Sequence, residues 1–325
     1  MTNKKCKINK LKYFPISFLG TCLGLNGFAL TWQKAEHTFN LPFSISNYLL
    51  YFSLIIIAIV LILYSYKMFK YPKEVKKEFN HPIIINFYPI LAKLFLVTSI
   101  MYFNLNILSV SKYLLYTGVI IQSIFTIIIM SVWIRHEKFE IHHINPAWFI
   151  PVVGCILIPI AGTNHFPSEL SWFFFSIGFF WWLILTTIIF NRIIFHKPIS
   201  KELLPTLFIL FAPPVLGFIA LTKLLGGLTP QGNMLYYFSV FLFILIMFQA
   251  KLFVKIKFNL PWWAYSFPLE ALVLGTLLMY EKTNFIFFNI SSWILFIFLN
   301  ILIVVLIIKT MTSINDKALY IEEKD

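Results

Sequence analysis

Ten runs of largely apolar residues dominate this chain, each close to the ~20 residues a helix needs to cross the hydrocarbon core of a bilayer. They lie near 13–33, 46–66, 83–105, 110–134, 146–164, 170–191, 203–225, 233–254, 261–280 and 285–308 of a 325-residue sequence. Lipid offers the backbone no hydrogen-bond partners, so uninterrupted runs of this length have to be helical. The pattern predicts an all-α integral membrane protein with ten transmembrane helices. Because the connections are short, residues 1–325 are expected to form one transmembrane domain with short tails. Only 12% of the residues are charged, against about 25% in soluble domains. So much apolar surface excludes a soluble enzyme, and it excludes a nucleic-acid-binding module despite a net charge of +13. The basic excess belongs to topology and lipid contact instead.

Twenty-one of the 26 Lys and Arg residues fall on the side that carries both termini when ten spans alternate. Only Lys34, Lys112, Lys223 and Lys282 fall on the other side, and Lys93 stands inside a span. Basic residues collect in the cytoplasm, so both termini are expected there, in a cell (plasma or inner) membrane. The basic start (Lys4, Lys5, Lys7, Lys10, Lys12) leads into a run long enough to stay as a span, so no cleaved signal is expected. Cys6, Cys22 and Cys155 are too scattered for a disulfide framework or a metal knuckle.

The odd-numbered spans share a second feature. Each carries proline in its first half beside an aromatic residue, with Pro15, Pro89, Pro151, Pro213 and Pro268 as the inner prolines, 74, 62, 62 and 55 residues apart. The even-numbered spans are plainer, such as LLYFSLIIIAIVLILY from Leu49, and apolar all round. The period suggests five helical hairpins. Proline removes a backbone bond and kinks a helix, and the freed carbonyls must face protein or water rather than lipid. The bent odd-numbered helices are therefore expected inside, in a quasi-fivefold arrangement around a central pore, with the straight helices outside.

Small residues gather in the odd spans, at Gly20, Gly24, Gly27, Gly154, Gly217 and Gly275. They fit close helix packing and, equally, space left at the axis. Phe211 accompanies Pro213 in the seventh span and is a further lining candidate. Charge within spans is costly and usually functional, and two residues stand out: Lys93, four after Pro89, and Glu270, two after Pro268. They could neutralise each other between two inner helices, or Lys93 could draw anions into the lumen while Glu270 is buried or protonated. A relay of carboxylates or histidines, as in proton-driven carriers, is missing. The lining is expected to be apolar and aromatic, suited to weakly hydrated ions. The loop run His136-Glu137-Lys138-Phe139-Glu140-Ile141-His142-His143 does not match HExxH and reads as a solvated loop rather than a metal site. No metal, cofactor or enzyme active site is expected.

FPISFLGTCLGLNGFALTW (14–32), HPIIINFYP (81–89), NPAWFIPVVG (145–154), PTLFILFAPPVLGF (205–218) and WWAYSFPLEA (262–271) resemble the tellurite-resistance/dicarboxylate transporter family. That family includes TehA-type proteins and the slow anion channels of plant guard cells. The resemblance runs through all ten spans. It implies five hairpins in quasi-fivefold arrangement, a pore in each protomer, a homotrimer, and a phenylalanine plugging the lumen at the position of Phe267. It also implies that Gly20 packs where the pore is narrow. The function expected from it is passive passage of small monovalent anions such as chloride or nitrate through a Phe267 gate. The alternative is proton-coupled transport of C4-dicarboxylates, or transport of an oxyanion such as tellurite or sulfite. The long phosphorylatable tails of the plant channels are missing, and neither Lys93 nor Glu270 maps onto a family role.

Overall fold

The computed structural model describes residues 11–135, 139–253 and 256–315, and among these there are helices and connections but no strand. The α-helices in chain order are α1 (Phe18–Phe39), α2 (Ile45–Lys70), α3 (Pro72–Asn80), α4 (Ile90–Asn104), α5 (Leu108–Arg135) and α6 (Phe149–Val153). They continue as α7 (Leu157–Gly162), α8 (Ser168–Phe195), α9 (Ala212–Leu224), α10 (Pro230–Phe248), α11 (Ser266–Thr283) and α12 (Ile286–Asn315). Cys6 and the basic residues Lys4, Lys5, Lys7, Lys10, Lys138, Lys255, Lys317 and Lys324 lie outside the described residues.

Among the described residues seven helical stretches are long and apolar enough to cross a membrane: α2, Ile84–Asn104, α5, α8, Leu204–Leu224, α10 and Ile286–Ile314. The other three predicted spans fall on α1, on Pro146–Gly162 and on α11. Pro146–Gly162 is apolar but short. α1 and α11 end in polar turns, Gln33-Lys34-Ala35-Glu36-His37 and Glu281-Lys282, that dilute their apolar character. α1 therefore runs on to Phe39, past the predicted limit at 33. That extra turn has a purpose: Glu36 accepts bonds from the Ser46 backbone N–H at 2.7 Å and its hydroxyl at 2.5 Å, satisfying the orphan donors that open α2.

The five inner prolines stand at or near the points where the odd spans turn from tight or irregular backbone into α-helix. Four of the odd spans begin as 3-10 helix, at Ile84–Phe87, Pro146–Trp148, Leu204–Phe211 and Leu260–Tyr265, and then widen into α4, α6, α9 and α11. α1 opens with the same tight bonding, from the N–H groups of Phe18, Leu19 and Gly20 to carbonyls three residues back. Pro15 precedes α1, Pro89 caps α4, and Pro213, Pro268 and Pro151 stand within the first three residues of α9, α11 and α6. Proline's fixed φ suits the opening residues of an α-helix, and its missing N–H leaves a carbonyl of the preceding turn without its helical partner. Pro146–Gly162 is the irregular one, alternating 3-10 and α pieces.

Burial divides the spans sharply. In Ile84–Asn104 and Leu204–Leu224, 78% and 83% of the apolar window is buried, against 22–33% in the other five long helices. The exposed helices nonetheless each bury one narrow stripe. On α2 it is Ser46, Leu50, Ser53, Ile57, Val60, Tyr64 and Lys67, spaced alternately by four and three. α5 buries Ser111, Gly118 and Gln122, α8 buries Ser171 and Gly178, and α10 buries Gly232 and Ser239. These helices are thus not alike all round. Their small and polar residues face inward among some Leu, Ile and Phe, where close approach and hydrogen bonds drive association in lipid, and their exposed sides are made mostly of Ile, Leu and Phe. Ser99 and Ser111 show the result, each hydroxyl bonding the other's carbonyl at 2.7 and 2.9 Å.

Packing closes on itself: α1 packs on α4, α4 on α7, α7 on α9, α9 on α11, and α11 back on α1. Each of these also packs on the next helix in sequence, α2, α5, α8, α10 and α12 respectively. Lys67, one of the basic residues on the side that carries the termini, is buried. Its ammonium meets Glu78 at 2.5 Å and the Phe14 carbonyl at 2.8 Å. Glu78 also accepts from Tyr64 at 2.8 Å, which ties α3, an amphipathic helix absent from the sequence reading, to α2.

Candidate functional site

Two cavities lie within the closed circuit, one after the other. The first, of about 90 Å³, is lined by the N-terminal halves of all five segments, and the second, of about 130 Å³, by their C-terminal halves. The lining positions recur at helical spacing along each segment. α1 gives Gly20 and Leu23 to the first cavity and Gly27 and Leu30 to the second; α4 gives Ile90 and Lys93, then Val97 and Ile100. The side chains of Leu157, Leu216 and Phe267 border both spaces. Phe267, in the first turn of α11, is only half-buried deep inside the molecule, because it has open space on both sides.

The lining is more aliphatic than expected, and apart from Phe267 its aromatics (Phe87, Phe149, Trp263) belong to the first cavity. Among the described residues Lys93 is the only charged one lining it. Its ammonium donates to the Ile150 carbonyl at 2.7 Å, with longer approaches to Gln122 Oε1 at 3.3 Å and the Pro89 carbonyl at 3.4 Å. The break between α6 and α7 accounts for the Ile150 carbonyl, since the next one, of Pro151, is likewise held by side chains, Gln122 and Thr126 at 2.7 Å each. Glu270 lines the second cavity, 1% exposed, and neither carboxyl oxygen has a hydrogen-bond partner. Lys93 and Glu270 therefore do not form a neutralising pair. The mouth of the second cavity carries Lys34, paired to Glu281 at 2.5 Å, and Lys223.

The sequence-predicted residues separate into two groups. Gly20, Lys93, Gly154, Glu270 and Phe267 line cavities. Gly24, Phe211 and Gly217 do not. A Cβ on Gly24 would strike Trp263 and Ser266 of the neighbouring segment, so this glycine serves the α1–α11 contact. Gly217 faces Leu235 on α10. Phe211 is fully buried against Phe208 and Phe243, because Ile209, Ala212 and Pro213 occupy the cavity-facing positions of that segment. Missed by sequence were Leu157 and Leu216, while Gly27, noted there among the small residues of the odd spans, lines the second cavity. Among the described residues no group of three His, Cys, Asp or Glu could hold a metal. Glu140 and His142 form an exposed pair at 3.1 Å, and His136, Glu137 and Lys138 lie outside the described residues.

Helices that are apolar outward and small or polar inward, wrapped around enclosed space, define a multi-pass membrane protein of the channel or transporter class. Residues 13–311 match the SLAC1 family, described as voltage-dependent anion channels, and the chain belongs to that family. It is 29% identical over 341 residues to an uncharacterized transporter of Methanocaldococcus jannaschii, covering 95% of this chain and 97% of that protein. It is 29% identical over 273 residues to the S-type anion channel SLAH2 of Arabidopsis thaliana, covering 81% of this chain and 52% of the plant protein, so it spans about half of that channel. A TehA homolog of Haemophilus influenzae, a tellurite resistance protein, is 22% identical over 323 residues, 96% of this chain and 95% of that one.

Proposed function

We propose that this protein is a passive channel for small monovalent anions such as chloride and nitrate, occluded by Phe267. The observation that carries the reading is that Phe267, with Leu157 and Leu216, borders both cavities. An aromatic ring across an otherwise aliphatic lumen blocks ions by bulk and by excluding water, and a rotamer change at a half-buried ring would open it. Gly20 leaves room beside the ring's segment: a Cβ there would meet Trp263 only at ordinary contact, 3.8 Å.

The same reading takes the chain as one domain of ten spans in five hairpins, quasi-fivefold about the axis, and the closed circuit of helix contacts supports it. The split of basic residues supports cytoplasmic termini in a cell membrane, which makes the first cavity the cytoplasmic one. A homotrimer with a pore in each protomer rests on the family resemblance.

Glu270 favours a second reading, proton-coupled transport of a dicarboxylate or of an oxyanion such as tellurite or sulfite, because a buried carboxyl without a partner is a place to carry a proton. The deciding measurement is current under voltage clamp in chloride and nitrate gradients. A channel gives a reversal potential that follows the anion gradient and ignores pH. A current or uptake that follows the proton gradient would replace the channel by the carrier.

A further inference from the structure

We propose that Lys93 holds one small monovalent anion in the first cavity, on the α-helix N-terminal side of Phe267. This rests on the reading of that cavity as part of an anion path, and it names the ligand class that the path selects.

Lys93 is 5% exposed and every oxygen near its ammonium is neutral: Ile150 and Pro89 carbonyls and the Gln122 amide. No carboxylate lines the cavity, and the remaining lining is apolar apart from Ser17. A buried cation without a counter-charge is costly, so the group that complements this site is an anion. An ammonium has three protons. The Ile150 carbonyl takes one at 2.7 Å, and the other two approaches are long, which leaves donors for a ligand.

Gly154 stands on the neighbouring segment, and a Cβ there would come within 2.5 Å of the Lys93 nitrogen. The glycine keeps the ammonium's flank open. The cavity holds about 90 Å³, several times the roughly 10–15 Å³ needed for one water, so chloride or nitrate fits beside the nitrogen. One ammonium neutralises one charge. A dicarboxylate dianion would carry its second charge into an aliphatic space with nothing to meet it, and charge, not size, excludes it.

The test uses the full-length protein with Phe267→Ala to open the path. Lys93→Gln removes the charge and keeps a donor for the Ile150 carbonyl. The half-saturating chloride and nitrate concentrations of the current are expected to rise about tenfold or more, as for the loss of one charge-assisted hydrogen bond. Lys93→Arg keeps saturation at low concentration. Gly154→Ala, which crowds the ammonium without removing charge, raises it too, and serves if Lys93→Gln does not fold. In parallel, chloride-35 NMR line broadening by the purified protein is expected to be displaced by nitrate, not by malate, and to be lost in Lys93→Gln. Unchanged half-saturation and unchanged broadening in folded Lys93→Gln or Gly154→Ala would overturn the site while leaving the pore standing. If Phe267→Ala passes no current, the pore reading fails, and chloride binding at Lys93 is still decided by the NMR arm.

Discussion

Phe267→Ala is the perturbation for which the geometry makes the firmest demand. The ring borders two cavities of about 90 and 130 Å³, and on the channel proposed above passage requires moving it from its contacts. Full burial of a phenylalanine side chain is worth about 1.5–3 kcal/mol. Phe267 is half-buried, so the lower part of that range applies, and each ~1.4 kcal/mol is a factor of ten in population. Deleting the ring should therefore raise anion current about ten- to thirtyfold. The stability cost should be modest, because the deletion joins two existing spaces rather than creating a void. Phe211→Ala is the control. That ring is fully buried outside the lining, so its loss costs about 3–5 kcal/mol and opens nothing. Whole-cell current normalised to surface protein, with melting temperature in detergent, reads both quantities. An equal rise from both variants, or none from Phe267→Ala with normal surface protein, would refute the assignment of the ring to the path.

Glu270→Gln keeps shape and removes ionisation from a carboxyl that has no partner; a channel should fold as before and conduct at least as well, whereas loss of flux in a folded protein would favour proton coupling. Lys67→Ala breaks the Lys67–Glu78 pair and leaves the Phe14 carbonyl bare. Breaking a buried pair costs about 3–5 kcal/mol, nearer the lower end here because the Glu78 side chain is 17% exposed, and thermal melts should show it without altered ion selectivity. Gly27→Ala places a methyl against the Glu270 carboxylate and the Phe267 ring. In the Phe267→Ala background it should reduce current with little loss of stability, since the end of the Glu270 side chain can swing aside, and an increased current would contradict the packing described for α1 and α11.

Much of the architecture was legible because lipid imposes a length on every span, and predicted and observed limits agree closely for α2, α5 and α8. Where they part, a polar turn continued as helix: Gln33 to Phe39 stays helical because Glu36 caps α2. The prolines were visible, but their position at 3-10-to-α junctions was not, since sequence reveals a missing N–H and not which turn lacks it. Gly20 and Gly24 look equivalent in sequence, yet four residues along a helix is slightly more than one turn, and the difference points one at a cavity and the other at Trp263. Lys93 and Glu270 were recognised as anomalies, but whether they meet depends on depth along two different helices, and depth is set by register in packing. Phe267 was singled out only through the family resemblance. Nothing in its local sequence separates it from Phe211.

The inward stripes of the exposed helices carry a consequence for how such a chain accepts change. On α2, Ser46, Ser53 and Tyr64 are committed to contacts, while exposed neighbours such as Ile55, Ile59 and Ile62 meet only hydrocarbon, which asks for apolarity and nothing more specific. A saturation library should therefore be sharply two-faced: Ile, Leu, Val and Phe exchange freely on one side of each such helix, and a single added methyl is rejected on the other. Relatives can then drift far apart in overall identity along these helices while the circuit of α1, α4, α7, α9 and α11 keeps its shape. Hydropathy finds such helices easily, and their informative residues are the few that lower it.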